Sequence, residues 1–352
     1  MQTLIAENEI IGEDFSEVVE LLPRAQKIFA QRFPAITNFE RAIFFSWGCT
    51  IGDCQFCYMS AQPTWKKPSE TKRSRESIFA EVILAKQLGW DIGFFTGGIG
   101  VFTPNEIEDM LKVMSEIAGE KIWLSVGPVP KPLLLKYLPY LKGIVGSTET
   151  INPELHKKVC PSKPLEPYEK MFSAAQEMDI RRAMTFIVGM GEKKSDLSLL
   201  VAFIKKYDIS KIHLYGLIPT KGTAMEHYPV PSADQQAWWI AQLRIACPTL
   251  DIQCGIWEDR TERISYLLQA GANSISKFQA IKFFGTSIAQ EIEAQAHNAG
   301  REFKGTLTKL PDIDWENEVK RLSVDEALKK GIQEKLSQYL RQIEKSEKKR
   351  KK

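Results

Sequence analysis

Cys49, Cys54 and Cys57 fall within nine consecutive positions, while Cys160, Cys247 and Cys254 are scattered. The clustered stretch reads Cys49-Thr-Ile-Gly-Asp-Cys54-Gln-Phe-Cys57-Tyr58-Met59-Ser60 and directly follows the apolar run 42–47. Three thiolates on one short loop can bind three irons of a four-iron cluster. The fourth iron then has no protein ligand, and an open metal position is where a small molecule can coordinate. Other chemistries stay open on these residues alone. A zinc site needs a fourth donor, which His156 or Cys160 could supply. Cys54-x-x-Cys57 alone could form a redox pair, and three unconnected structural cysteines are the plainest alternative.

The loop must be held by the elements around it. Eight short apolar runs, at 42–47, 92–96, 122–126, 143–147, 183–188, 212–218, 252–257 and 274–278, are rich in β-branched and aromatic residues and too short for typical helices. Helical periodicity fills the intervals, at 77–88, 104–118, 131–140, 167–178, 195–207 and 233–247. Such alternation predicts parallel strands with crossover helices. Eight units in about 250 residues have the size of a (β/α)8 TIM-type barrel, with an open doubly wound sheet plus a helical domain as the alternative. We expect an N-terminal helical extension over 1–40, with a helix at 14–32 capped by Asp14, then the barrel over 41–311. A charged helical extension over 312–352 follows, whose Leu322, Ala327, Leu328, Ile332, Leu336, Tyr339 and Leu340 can pack on the barrel's outside.

Composition narrows the class. The 352 residues are 43% hydrophobic with a formal charge of +3, which is enough for a large core and gives no field suited to nucleic acid. No apolar run approaches the ~20 residues that span a bilayer. The N-terminus turns acidic at once, without the basic flank of a signal peptide, so we expect a cytoplasmic protein with no nucleic-acid or membrane partner. The terminal run from Lys345 onward reads as a solvated tail.

Barrel chemistry sits where strands run into the following helices. There the chain places Trp47-Gly48-Cys49, Thr96-Gly97-Gly98, Ser147-Thr148-Glu149-Thr150, Gly189-Met190-Gly191-Glu192 and Pro219-Thr220-Lys221-Gly222-Thr223. In this order the set resembles the radical S-adenosylmethionine (SAM) superfamily, and its biotin-synthase-like branch in particular, from about residue 41 to 312. The resemblance implies a [4Fe-4S] cluster on Cys49, Cys54 and Cys57, with SAM on its open iron. It implies SAM contacts from Tyr58, from Thr96, Gly97 and Gly98 at the methionyl amine, from Glu149, from Val188 and Gly189 at the adenine, and from Ile218. A ferredoxin- or flavodoxin-type electron donor would serve the cluster.

The chain departs from the family pattern in three places. The usual spacing is Cys-x3-Cys-x2-Cys, whereas four residues separate Cys49 from Cys54. Ile99 stands where a Glu is common. The region that often carries an Arg for the SAM carboxylate offers Tyr168 and Lys170 instead, and Lys170 is the candidate. Within the branch, Val159-Cys160-Pro161-Ser162-Lys163-Pro164 and Lys277-Phe278-x5-Phe284-Gly285-Thr286 are similar to two-protein lipoyl synthases. The implied reaction is sulfur insertion into an octanoyl chain on a carrier protein, shared with a second radical SAM subunit. A maturase of the iron-guanylylpyridinol cofactor of [Fe]-hydrogenase is the runner-up, and a non-catalytic zinc or iron–sulfur protein is the alternative of another class.

Further residues have two readings each. Glu149 is a ligand contact or a helix cap, and Glu192 a ligand contact or a turn residue. Lys221 can bind an acidic group or sit in a solvated turn. Trp257, Lys277 and Phe278 line a substrate cavity or fill core. Cys160 and Cys254 can approach one another, but Cys247 belongs near the opposite rim, so an auxiliary cluster on the three is disfavoured against inert thiols.

Overall fold

The computed structural model describes residues 13–62 and 67–350. The first residues of the chain and the last two of its basic tail lie outside the described residues. Helix α1 (Val18–Arg32) starts four residues later than expected, and Asp14 does not cap it. The Asp14 carboxylate instead accepts hydrogen bonds from the amide and hydroxyl of Ser16, both at 2.8 Å, a local turn that competes with helix entry.

The chain then runs β1 (Ile36–Asn38), β2 (Glu40–Phe44), α2 (Arg75–Gln87), β3 (Asp91–Thr96), α3 (Pro104–Ala118), β4 (Ile122–Ser125), α4 (Lys131–Tyr137) and β5 (Leu141–Glu149). It continues through α5 (Pro153–Val159), α6 (Glu166–Glu177), β6 (Arg181–Val188), α7 (Leu197–Lys206), β7 (Lys211–Gly216), α8 (Ala233–Ala246) and β8 (Asp251–Gly255). The last elements are α9 (Ile264–Gln269), β9 (Ser274–Ser276), α10 (Ala280–Phe283), α11 (Ser287–Asn298), β10 (Glu302–Lys304), α12 (Trp315–Lys320) and α13 (Glu326–Arg350). Local signals set many of these bounds. In α3, Thr103 and Glu106 form a reciprocal capping box with Pro104 in the first turn.

The eight apolar runs became β2 to β9, which pair in parallel in sequential order. The ends of that sheet, β2 and β9, are joined by one bridge between Phe39 and Ile275. The architecture is therefore a nearly closed eight-stranded barrel wrapped by helices, not an open doubly wound sheet. A parallel pair of β1 with β10 lies apart from it; each strand has three residues, too few to show a period.

Where the ladder between β2 and β9 is missing, charge joins the strands. Lys211 on β7 reaches Glu40 Oε1 on β2 at 2.6 Å and Asp251 Oδ2 on β8 at 2.9 Å. Ser274 on β9 donates to the same Glu40 oxygen. All four residues begin their strands, so the network closes the end of the barrel opposite the cysteine loop. Burial opposes the charge on Lys211, but Asp251 and Glu40 hold its pKa above the ordinary lysine value.

At the other end the C-terminal helix covers the same seam. Helix α13 packs on α2 and α10, burying Leu328, Ile332, Leu336 and Ile343. Tyr339 reaches further than outside packing requires. Its hydroxyl lies 2.7 Å from Ser77 Oγ and accepts from Arg73 Nη2 at 3.0 Å.

After β6 the chain turns sharply. Gly189 has φ +98°, and Glu192 accepts from the Gly189 and Met190 amides at 2.7 and 3.0 Å. Burial pushes the Glu192 carboxyl up to about 7, against the pull of these amides. Glu192 thus fills the turn-residue role.

Two outcomes are expected. Lys211→Met leaves Glu40 and Asp251 without their cation and should cost about 3 kcal/mol in denaturant unfolding. A carboxyl with a raised folded pKa stabilises the fold while protonated, and that contribution is lost as pH rises from the ordinary carboxylate range through about 7. The unfolding free energy should therefore fall more across that range in the wild type than in Glu192→Gln.

Candidate active site

A cavity of about 860 Å³ opens at the C-terminal ends of the strands and is lined by Cys49, Cys54 and Cys57. The loop carrying them is fastened to the end of β3. Phe45 donates its amide to Thr96 O at 2.7 Å, and the Thr50 amide and hydroxyl both donate to Ile99 O, at 3.0 and 2.8 Å. The Gly98 amide donates to Ser46 Oγ at 3.0 Å. A Cβ at Gly98 would sit 1.6 Å from Gly48 O, so no other residue allows this approach. The extra residue of the loop is accommodated with Gly52 at φ +63°.

Among the described residues, no three His, Cys, Asp or Glu side chains converge where one ion would sit. A single zinc needs every donor within about 2.3 Å of one point. A four-iron cluster takes one thiolate at each of three separate irons, and cysteines spread along one loop fit it. His156 is not available as a fourth ligand. Its Nδ1 lies 3.0 Å from Thr150 O and its Nε2 2.6 Å from Lys163 O. Cys160 is buried against Cys54, and the hydrogen bond between them holds the Cys54 thiol below its usual pKa and pushes Cys160 up. Burial pushes Cys57 up to about 11. Tyr58 lines the cavity with its buried hydroxyl unpartnered.

Glu149 ends β5 with φ +62°, a conformation strained for any residue with a side chain. Its Oε1 pairs with Lys163 Nζ at 3.1 Å, and its Oε2 accepts from Thr185 Oγ1 at 3.0 Å. Burial opposes the Lys163 charge, but Glu149 and the nearby thiols hold its ammonium well above the usual lysine range. All three residues line the cavity.

Six of the expected SAM contacts therefore share one cavity: Tyr58, Thr96, Gly97, Gly98, Glu149 and Ile218. Val188 and Gly189 lie behind its wall, where the neighbouring Ile187 takes the lining position. Lys170 is not brought there. Its side chain is 74% exposed on α6 and pairs with Glu166 one turn away, so the cation beside Glu149 is Lys163. Tyr168 from the same helix is buried with its hydroxyl unpartnered.

Lys163 stands out in the sequence only as part of the stretch 159–164, because its placement depends on His156 tying the loop after α5 back to Thr150. Besides Ser147 of the rim stretch, Thr185, Ser125 and Gln253 also line the cavity and belong to no motif. Their available signal was a polar side chain inside an otherwise apolar strand. Trp257, Lys277 and Phe278 do line the cavity, whereas Lys221 is exposed in its turn. His213 is buried edge-on to Phe94, and burial lowers its pKa to about 3. Cys160 and Cys254 pack in separate apolar groups, and Cys247 ends α8, so the three assemble no second cluster.

Comparison with known proteins agrees with this geometry. Residues 43–204 match the model of the radical SAM superfamily. The chain is 32% identical to an uncharacterised protein of Methanocaldococcus jannaschii, over 95% of this chain and 98% of that protein. It is 24% identical to biotin synthase of Thermotoga petrophila, over 74% of this chain and 84% of that one. The fold is similar to methylornithine synthase, with TM-score 0.66 and 18% identity over 93% and 96% of the two chains. It is also similar to the hydrogenase maturase HydG of Carboxydothermus hydrogenoformans, with TM-score 0.68 and 15% identity over 97% and 86%. The matched residues 43–204 include the three loop cysteines, the Thr96-Gly97-Gly98 turn and the Glu149–Lys163 pair, and the chain belongs to the radical SAM superfamily.

Proposed function

We propose that this chain holds SAM and an organic substrate together in the barrel cavity and removes a hydrogen atom from an unactivated carbon of that substrate. The observation that carries this is that all three loop cysteines and the Glu149–Lys163 pair line one cavity. Cys49, Cys54 and Cys57 would hold the cluster, which would supply, from an external electron donor, the electron for cleaving SAM to methionine and a 5′-deoxyadenosyl radical.

Around that chemistry the protein binds, orients and shields. The turn Thr96-Gly97-Gly98 offers its backbone to the methionyl amine. We assign the methionyl carboxylate to Lys163 in place of Lys170, because Lys163 is a cation in the cavity and its partner Glu149 uses one of three ammonium donors. Glu149 then sits beside the amine end, while Tyr58 and Ile218 are assigned to the nucleoside. Val188 and Gly189 support that side through the lining residue Ile187. Ile99, Ile187 and Phe94 give the cavity apolar walls, which exclude water from a reactive intermediate.

The finer reading is sulfur insertion into an octanoyl chain on a carrier protein, with a ferredoxin- or flavodoxin-type donor and a second radical SAM subunit. Its support is the sequence resemblance, the similarity to biotin synthases and the apolar wall of Phe39, Phe278 and Ile281, which suits an alkyl chain. The scattered cysteines build no sulfur-donating cluster, so the partner would supply the sulfur.

Anaerobic reconstitution with iron and sulfide should yield a four-iron cluster and, with SAM and a reductant, 5′-deoxyadenosine. Cys49→Ala, Cys54→Ala and Cys57→Ala should each lose both. A wild type that binds no iron and releases no 5′-deoxyadenosine sinks the radical reading. Lys163→Met should weaken SAM binding roughly tenfold with the cluster retained, while Lys163→Arg keeps most of the affinity and Lys170→Met changes nothing. An octanoylated carrier that is never sulfurated, even with the partner subunit present, removes the finer reading.

A further inference from the structure

Most of the charged side chains around the cavity have partners of opposite sign. Arg41 and Arg73 both pair with Glu81, at 2.6 and 2.7 Å. Lys163 pairs with Glu149, and Glu40 with Lys211. Lys277 differs. It follows β9, lines the cavity and is accessible within it. Among the described residues its ammonium makes no ion pair and no hydrogen bond, and it lies over the face of the Tyr215 ring, 4.2 Å from the centroid. A ring face stabilises a cation but takes none of its three N–H donors.

The backbone adds a second observation. Lys277 has φ +71°, and among the described residues the other non-glycine positions in the left-handed region are Glu149, Asp179 and Asp208. The two aspartates lie in helix-to-strand turns at the far end of the barrel, where short polar side chains tolerate this conformation. Glu149 ends β5 and Lys277 directly follows β9, both at the cavity; they carry opposite charge and are long. Strain that persists at a ligand cavity accompanies a side chain that must be placed there. The wall beside Lys277 is apolar, with Phe278, Ile281 and Phe39.

We propose that Lys277 anchors an anionic group, of the carboxylate class, on the substrate, and that the substrate's hydrocarbon part lies along the apolar wall next to it. The cavity thus has two anion positions. Lys163, near the cysteines, serves SAM, and Lys277 serves the molecule that is attacked. This inference rests on the cavity being the substrate chamber of a radical SAM enzyme. It is an alternative to the octanoyl reading, since an octanoyl amide is neutral and would leave the ammonium facing an uncharged chain, so an anion preference at Lys277 counts against that substrate.

Octanoate and octanamide, equal in chain length and different in charge, are the probes. Each is titrated anaerobically into the reconstituted, SAM-loaded protein and followed by tryptophan fluorescence, with Trp47 and Trp257 in the cavity wall. Octanoate should bind at least about tenfold tighter than octanamide. The ratio should fall to about one in Lys277→Met and persist in Lys277→Arg. Lys277→Gly is the control for folding, because glycine adopts this φ without strain, and it should also lose the ratio. A wild-type ratio near one, no detectable octanoate binding, or an undiminished ratio in Lys277→Met overturns the proposal. So does a loss of SAM affinity in Lys277→Met with the ratio intact, which would give this cation to SAM. Release of 5′-deoxyadenosine by the wild type is scored separately, so failure of the radical reading is distinct from failure of the anion preference.

Discussion

The site depends on how closely the end of β3 approaches the cysteine loop. A Cβ at Gly98 would sit 1.6 Å from Gly48 O. That contact, with the hydrogen bonds from Phe45 and Thr50 across to Thr96 and Ile99, presses the loop onto the glycine turn. Thiolates on one side and backbone polar groups on the other can then share a ligand. A single methyl group at residue 98 would push the two apart, and the cavity would lose the shape that joins the cysteine loop to the glycine turn.

Barrel closure imposes the second constraint. Because β2 and β9 share one bridge, the seam between them must be held by side chains. Lys211, Glu40, Asp251 and Ser274 hold it at the strand starts, while α13 covers it near the strand ends and brings Tyr339 to Arg73 and Ser77. Burying an ion network costs desolvation that well-packed apolar residues would avoid. Its merit here is directional: each partner is on a different strand, so the network fixes their relative positions. The same seam adjoins the wall of Lys277 and Phe278, which links the incomplete ladder to that side of the cavity.

Charge is divided within the cavity in a way that composition conceals. A formal +3 over 352 residues suggests no particular ligand. Inside the barrel, Arg41, Arg73 and Lys163 have carboxylate partners, whereas Lys277 has an aromatic face. A low-dielectric chamber makes one unmatched charge a larger determinant of ligand choice than many surface charges.

The eight strands, most helices and the three cysteines were legible in the sequence because local pattern encodes them. Apolar runs of strand length, helical periodicity and ligand spacing are properties of neighbours along the chain. Asp14 misled because a side chain bonding two residues ahead can form a turn as readily as a cap. Lys170 misled in a similar way: helix position placed it near the expected region, but its face turned to solvent. Which lysine meets Glu149 was decided by His156, whose two ring nitrogens span Thr150 and Lys163. Which charge stays unpaired was decided by strands far apart in sequence meeting around one cavity. The sequence by itself determined the strand–helix order and the spacing of the three loop cysteines, whereas partner choice among the charged groups was left to tertiary packing, since pairing depends on distances that no local spacing encodes.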